Sequence, residues 1–129
     1  MLQYLPSGEE FVCVNGKNRY TRALYGGHTA WRLETGARPI FATYVKNDCR
    51  NIRFRLHLPD GTVTPLEETD WCEARYNPGT RTYALKDKAW GENCSLKVSV
   101  LASLTEEMAV WELSGELPAS CELEVLNSP

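Results

Sequence analysis

Ile52-Arg53-Phe54-Arg55-Leu56-His57-Leu58 decides the fold, because apolar residues fill every even position and basic residues or histidine every odd one. Successive side chains of a β-strand point to opposite faces, so this period of two describes a strand with one face in a core and the other in water. Leu96-Lys97-Val98-Ser99-Val100-Leu101-Ala102 repeats the pattern, and Cys121-Glu122-Leu123-Glu124-Val125 does so again with acids on the wet face. Further strands are expected at residues 11–14, 20–25, 29–34, 40–45, 72–76, 81–85 and 108–113, which are rich in β-branched and aromatic residues. Between them stand turn signals. Asn15-Gly16, Gly26-Gly27, Asp60-Gly61 and Asn77-Pro78-Gly79 supply residues that tolerate positive φ, and Lys46-Asn47-Asp48 closes a further turn. No helical stripe of ten residues occurs, and residues 65–70 have room for one helical turn at most. The expected architecture is therefore all-β, an antiparallel β-sandwich.

The chain of 129 residues fits one sandwich domain spanning residues 1–129. Its composition, 43% hydrophobic and 24% charged, is that of a globular domain rather than a disordered one. No apolar run reaches membrane-spanning length, and the first residues lack the basic segment and apolar run of a signal peptide. The pattern stops within a few residues of a strand that still alternates, so the chain reads as an excised domain.

A net charge of -3 argues against a nucleic-acid binder. The distribution is uneven: residues 1–60 hold nine Lys and Arg against five acids, and residues 61–129 hold five against twelve. Cys13, Cys49, Cys72, Cys94 and Cys121 are widely spaced, without Cys-x-x-Cys or a nearby His. That spacing argues against zinc and redox sites and for mostly buried free thiols behaving as small apolar groups, with one disulfide left open for an exported protein; no metal or cofactor is expected.

Chemistry-bearing residues are few. Glu67, Glu68, Asp70 and Glu73 form an acidic cluster, and Glu106 and Glu107 a smaller one, but neither is recognisably the pair of carboxylates that glycoside hydrolysis needs. His28 after Gly26-Gly27 and His57 have a pKa range suited to a general base, yet no Gly-x-Ser-x-Gly nucleophile context accompanies them. Gly26-Gly27 lies between strands, not ahead of a helix, so it is no phosphate loop. Aromatic faces stack on sugar rings and populate interfaces. Trp31 and Trp111 alternate in register with core positions, whereas Trp71 and Trp90 lie in polar, turn-rich surroundings and are the expected exposed platforms. Arg53, Arg55 and His57 share one strand face, with Arg22 and Arg32 expected to extend it into a docking patch; the rival expectation is that Glu112, Glu122 and Glu124 pair with these arginines internally.

The stretch Asn18-Arg19-Tyr20-Thr21-Arg22-Ala23-Leu24-Tyr25-Gly26-Gly27-His28, continuing through Trp31-Arg32-Leu33-Glu34-Thr35-Gly36-Ala37-Arg38-Pro39-Ile40-Phe41-Ala42-Thr43-Tyr44 to Asn51-Ile52-Arg53-Phe54-Arg55-Leu56, resembles the N-terminal region of a family of large proteins from polysaccharide-degrading gut bacteria described as glycoside hydrolases. The likeness covers residues 11–58 strongly and residues 96–113 weakly. It implies a supersandwich-like β-sandwich ahead of an (α/α) toroid, with the catalytic carboxylates in that downstream domain and export of the whole protein. The first function it implies is a non-catalytic accessory domain whose partner is the downstream catalytic domain. A carbohydrate-binding module using exposed aromatics is the second, and a small mutarotase-type enzyme the third. The contact candidates for sugar or partner are Arg22, Tyr25, His28, Arg53, Arg55, Trp71 and Trp90, with no membrane insertion and no nucleic acid among the expected partners.

Overall fold

A computed structural model describes residues 5–7, 10–17, 22–25, 31–45, 48–77, 79–103 and 108–129. Its strands are β1 (Leu5–Ser7), β2 (Glu10–Val14), β3 (Arg22–Tyr25), β4 (Trp31–Thr35), β5 (Phe41–Val45), β6 (Asp48–His57), β7 (Val63–Pro65), β8 (Trp71–Asn77), β9 (Thr80–Lys86), β10 (Ser95–Ala102), β11 (Ala109–Glu116) and β12 (Glu122–Ser128). They form two sheets, with the orders β1-β2-β8-β9-β10-β11 and β12-β6-β5-β4-β3, and every pairing is antiparallel. The chain is thus an all-β sandwich.

Long β6 organises the second sheet. One of its edges bonds β12 over residues 51–57; the other bonds β5 over residues 48–52 and then β7 over residues 55–57. Its alternation is realised as read: Phe54, Leu56 and Leu58 are buried, while Arg53, Arg55 and His57 lie on the outer face. Leu96, Val98, Val100 and Ala102 bury the matching face of β10 in the first sheet. Between the sheets Phe41 meets Phe54, Tyr83 and Trp111 edge to face, at centroid distances of 6.1, 5.9 and 5.6 Å. Each such contact adds about 0.5–1.5 kcal/mol beyond area burial, and together they tie β5 and β6 to β9 and β11.

One end of the sandwich is closed by backbone. The segment between β4 and β5 is drawn inward, with Ala37 and Pro39 buried. The Gly36 carbonyl accepts hydrogen bonds from Arg81 Nη2 (2.6 Å) and Tyr83 Oη (2.7 Å), both from fully buried side chains. Arg38 in turn donates to the carbonyls of Gly16 (3.1 Å) and Thr69 (2.6 Å). Loop carbonyls that would lack partners in the interior are satisfied in this way.

Turn chemistry explains the tight corners. After β6, Gly61 N–H donates to the Leu58 carbonyl and Asp60 Oδ1 accepts from Thr62 N–H, with Gly61 at φ 92°. Gly79, also at φ 92°, follows β8, whose Asn77 pairs with Thr80. Asn15-Gly16 corrects the expectation of a hairpin. Strands β2 and β3 belong to different sheets, and Asn15, at φ 52°, instead locks onto β8 by donating its N–H to the Cys72 carbonyl while its Oδ1 accepts from Cys72 N–H. The helical turn expected within residues 65–70 is a 3-10 turn at Leu66–Glu68; a second, Lys88–Trp90, was not anticipated, nor were short β1 and β7. Among the cysteines Cys13 and Cys72 are buried and Cys49, Cys94 and Cys121 half-buried, all as free thiols.

Candidate functional site

The outer face of the first sheet carries a groove of about 610 Å³ across β8, β9, β10 and β11. Strand register builds it. Glu73, Ala84, Lys97 and Ser114 form one row across the four strands, flanked by Arg75 with Thr82 on one side and Trp71 with Lys86 on the other. Short side chains at Thr82, Ala84, Ser95 and Ser114 make a low floor, from which Lys97 rises between Ala84 and Ser114, and the longer Trp71, Arg75 and Lys86 stand around it. Arg75 Nε donates to Glu73 Oε1 at 2.7 Å, which holds both groups in place along β8.

Trp71 and Lys86 also help wall a second hollow of about 410 Å³, which includes Asp70, Asp87, Lys88 and Glu92. The Lys86 ammonium lies 5.2 Å from the Trp71 ring centroid, a cation–π contact that orients the half-buried indole. The hollow's far side is set by reciprocal capping: Asp70 N–H donates to Asp87 Oδ2 (3.1 Å), and Lys88 N–H donates to Asp70 Oδ2 (2.8 Å). Asp87 Oδ1 accepts from Ala89 N–H, starting the 3-10 turn that ends in Trp90.

That turn overturns the expectation for Trp90. Its indole is 3% exposed, packed in the core, with Nε1 donating to Thr64 Oγ1 at 3.3 Å. Trp90 is a core residue, and Trp71 alone of the two expected platforms reaches a surface hollow. Trp111 packs against the core as expected.

The basic face of β6 is engaged inside the molecule. Glu124, directly opposite Arg55 on β12, approaches Arg55 Nη2 at 2.6 Å and His57 Nε2 at 3.0 Å. These hydrogen bonds, from His57 first and Arg55 second, hold the Glu124 carboxyl below its usual range. Arg53 faces Glu67 at 3.8 Å. Burial pushes the Glu67 carboxyl above its usual range, against the weaker opposing pull of its own backbone N–H and Arg53. Arg32 stands apart, on β4 in the row of Tyr44 and Cys49, where its guanidinium lies 4.3 Å from the Tyr44 ring centroid and contacts Glu34. The expected continuous docking patch is therefore divided, and its central members are paired internally. The backbone of β3 sets Arg22 opposite Thr35 and Tyr25 opposite Arg32 of β4. His28, Glu106 and Glu107 lie outside the described residues.

Sequence reading missed the groove because its floor residues are individually nondescript; the available signal was the run of short side chains Thr80, Thr82 and Ala84 at alternate positions of β9. Among the described residues no group of three or more His, Cys, Asp or Glu is placed to hold a metal ion, and no helix is long and apolar enough to cross a membrane. No family model matches the chain, and neither a curated protein nor a solved structure matches it significantly.

Proposed function

We propose that this domain is a non-catalytic carbohydrate-recognition module, and that the groove over β8–β11 takes a saccharide chain. The observation that carries this reading is the groove itself: an indole at one end, a floor of short side chains around Lys97, and the hydrogen-bonded pair Arg75 and Glu73 on one wall. An indole face suits the C–H face of a pyranose, and paired charged groups suit vicinal hydroxyls as both donors and acceptors. The resemblance to the N-terminal region of glycoside hydrolases points to the same class of ligand. It also points to an accessory domain seated on a catalytic neighbour, but the basic face first expected to make that contact is occupied by Glu124 and Glu67.

Affinity electrophoresis in gels containing neutral or acidic polysaccharides tests the reading. At least one polysaccharide is expected to retard the domain, and Trp71→Ala to weaken binding about tenfold, equivalent to about 1.4 kcal/mol. Absence of retardation across the panel, or retardation unchanged in both Trp71→Ala and Glu73→Gln, refutes it.

A further inference from the structure

We infer that the edge of the sandwich formed by β11 and β12 is a docking site for an extended polypeptide of alternating apolar and basic residues, which adds to β12 as a further strand. Strand β12 ends its sheet, bonded to β6 along one side; among the described residues no strand bonds its other side. A free strand edge presents a row of N–H and C=O groups ready to pair, and soluble proteins ordinarily blunt it with charged side chains, lysine above all, with proline or with a bulge. Strand β12, ELEVLNS, holds no lysine or proline and its register with β6 is unbroken; its charges are Glu122 and Glu124, and Glu124 is drawn to Arg55 and His57 of the neighbouring strand.

The side chains of β12 point to the same use. Leu123 and Val125 pair with Leu56 and Phe54 and so share their core-directed face. Yet Leu56 and Phe54 are 2% and 3% exposed, whereas Leu123 and Val125 are 43% and 58% exposed. The reason is the offset of the sheets. The last strand of the first sheet, β11, stands over β5 and β6, where Trp111 packs on Phe41 (5.6 Å) and Phe54 (6.3 Å), so β12 projects beyond it uncovered.

Charge selects the occupant. No Lys, Arg or His occurs from Val98 to Pro129, whereas six glutamates do. Of these, Glu112, Glu116 and Glu122 are exposed on the two edge strands, with no ion pair among the described residues. A second copy pairing through the same edge would set acids against acids, which is unfavourable. A strand carrying apolar residues on one face and Lys or Arg on the other would cover Leu123 and Val125 and set its cations beside Glu122 on the outer face of β12, the strand-addition mode of peptide recognition.

The test uses the whole chain and a fluorescent heptapeptide of alternating lysine and valine, with a glutamate–valine peptide as control. Anisotropy is expected to show saturable binding of the basic peptide only, weakened about tenfold or more on raising salt from about 50 to about 500 mM, where screening is strong. Binding should slow amide exchange in β12, and Val125→Lys should abolish both effects. Because Val125 is largely exposed, the variant is expected to fold; should it not, exchange in the wild-type chain still decides. Equal binding of both peptides, binding without protection of β12, or a self-association in sedimentation that Val125→Lys removes would each overturn the proposal, the last by giving the edge to a second copy.

Discussion

Replacing Tyr83 by Phe probes the closed end of the sandwich with the loss of one oxygen atom. The hydroxyl is fully buried, accepts from Arg81 Nε at 3.3 Å and donates to the Gly36 carbonyl at 2.7 Å. Because the Gly36 carbonyl keeps its bond from Arg81 Nη2 at 2.6 Å, the main cost falls on the arginine. A buried hydrogen bond contributes about 1 kcal/mol net and more when one partner is charged, so the two together amount to about 2 kcal/mol. Unfolding entropy near the melting point is about 2.1 cal/mol/K per residue, or about 0.27 kcal/mol/K for 129 residues. The expected fall in Tm is therefore about 7 °C by calorimetry, with the midpoint of urea unfolding lowered and its slope unchanged. Arg81→Met and the double variant complete a cycle in which the two sites should couple by about 1 kcal/mol. A Tm drop below about 2 °C, or additivity within about 0.3 kcal/mol, refutes the assigned role of these bonds in closing the sandwich.

Other outcomes are as definite. Glu124→Gln should destabilise the protein slightly at neutral pH: a carboxyl whose folded pKa is depressed contributes above its unfolded pKa and loses that contribution as pH falls through the folded one. Thermal melts of the two proteins should accordingly converge in acid, and a constant gap down to about pH 2 contradicts the pairing. Burial pushes the Cys72 thiol from 9.0 up to about 12, so between those values the unfolded chain gives up a proton that the folded one keeps. Stability should fall as pH rises through that window, less so in Cys72→Ala, and at pH 8 a thiol reagent should label Cys72 only after unfolding. A Cβ on Gly115 would collide with the Ser95 carbonyl oxygen, a backbone atom that moves only with its strand. Gly115→Ala should cost about 1–3 kcal/mol in denaturant unfolding, and a neutral result would show that β10 and β11 can separate locally.

Alternation along single segments was legible because a strand's two faces are a local property. It gave the all-β class, the buried faces of β6 and β10, and the glycine corners after β6 and β8. Pairing was not legible, since β2 joins β8 and β12 joins β6 across long stretches of chain. The groove and the internal pairing of Arg55 with Glu124 both depend on that register, although the acids on the outer face of residues 121–125 were already the hint. Trp90 misled for a different reason. Its neighbours Gly91, Glu92 and Asn93 are polar and exposed, but the 3-10 turn capped by Asp87 swings the indole inward, a geometry with no period-two signature.

The strand order also decides what a cut would do. Were the chain severed at the Asp60-Gly61 corner, the piece up to 60 would hold β1 to β6 and the piece from 61 would hold β7 to β12, so neither piece would own a complete sheet. Each would offer the other a missing neighbour, β2 for β8 in one layer and β12 for β6 in the other. The seam at β6 and β12 also joins the basic half of the sequence to the acidic half through Arg55 and Glu124. The two pieces are thus templates of opposite charge for one another, and the protein is built as a self-complementing pair that happens to be joined by a hairpin.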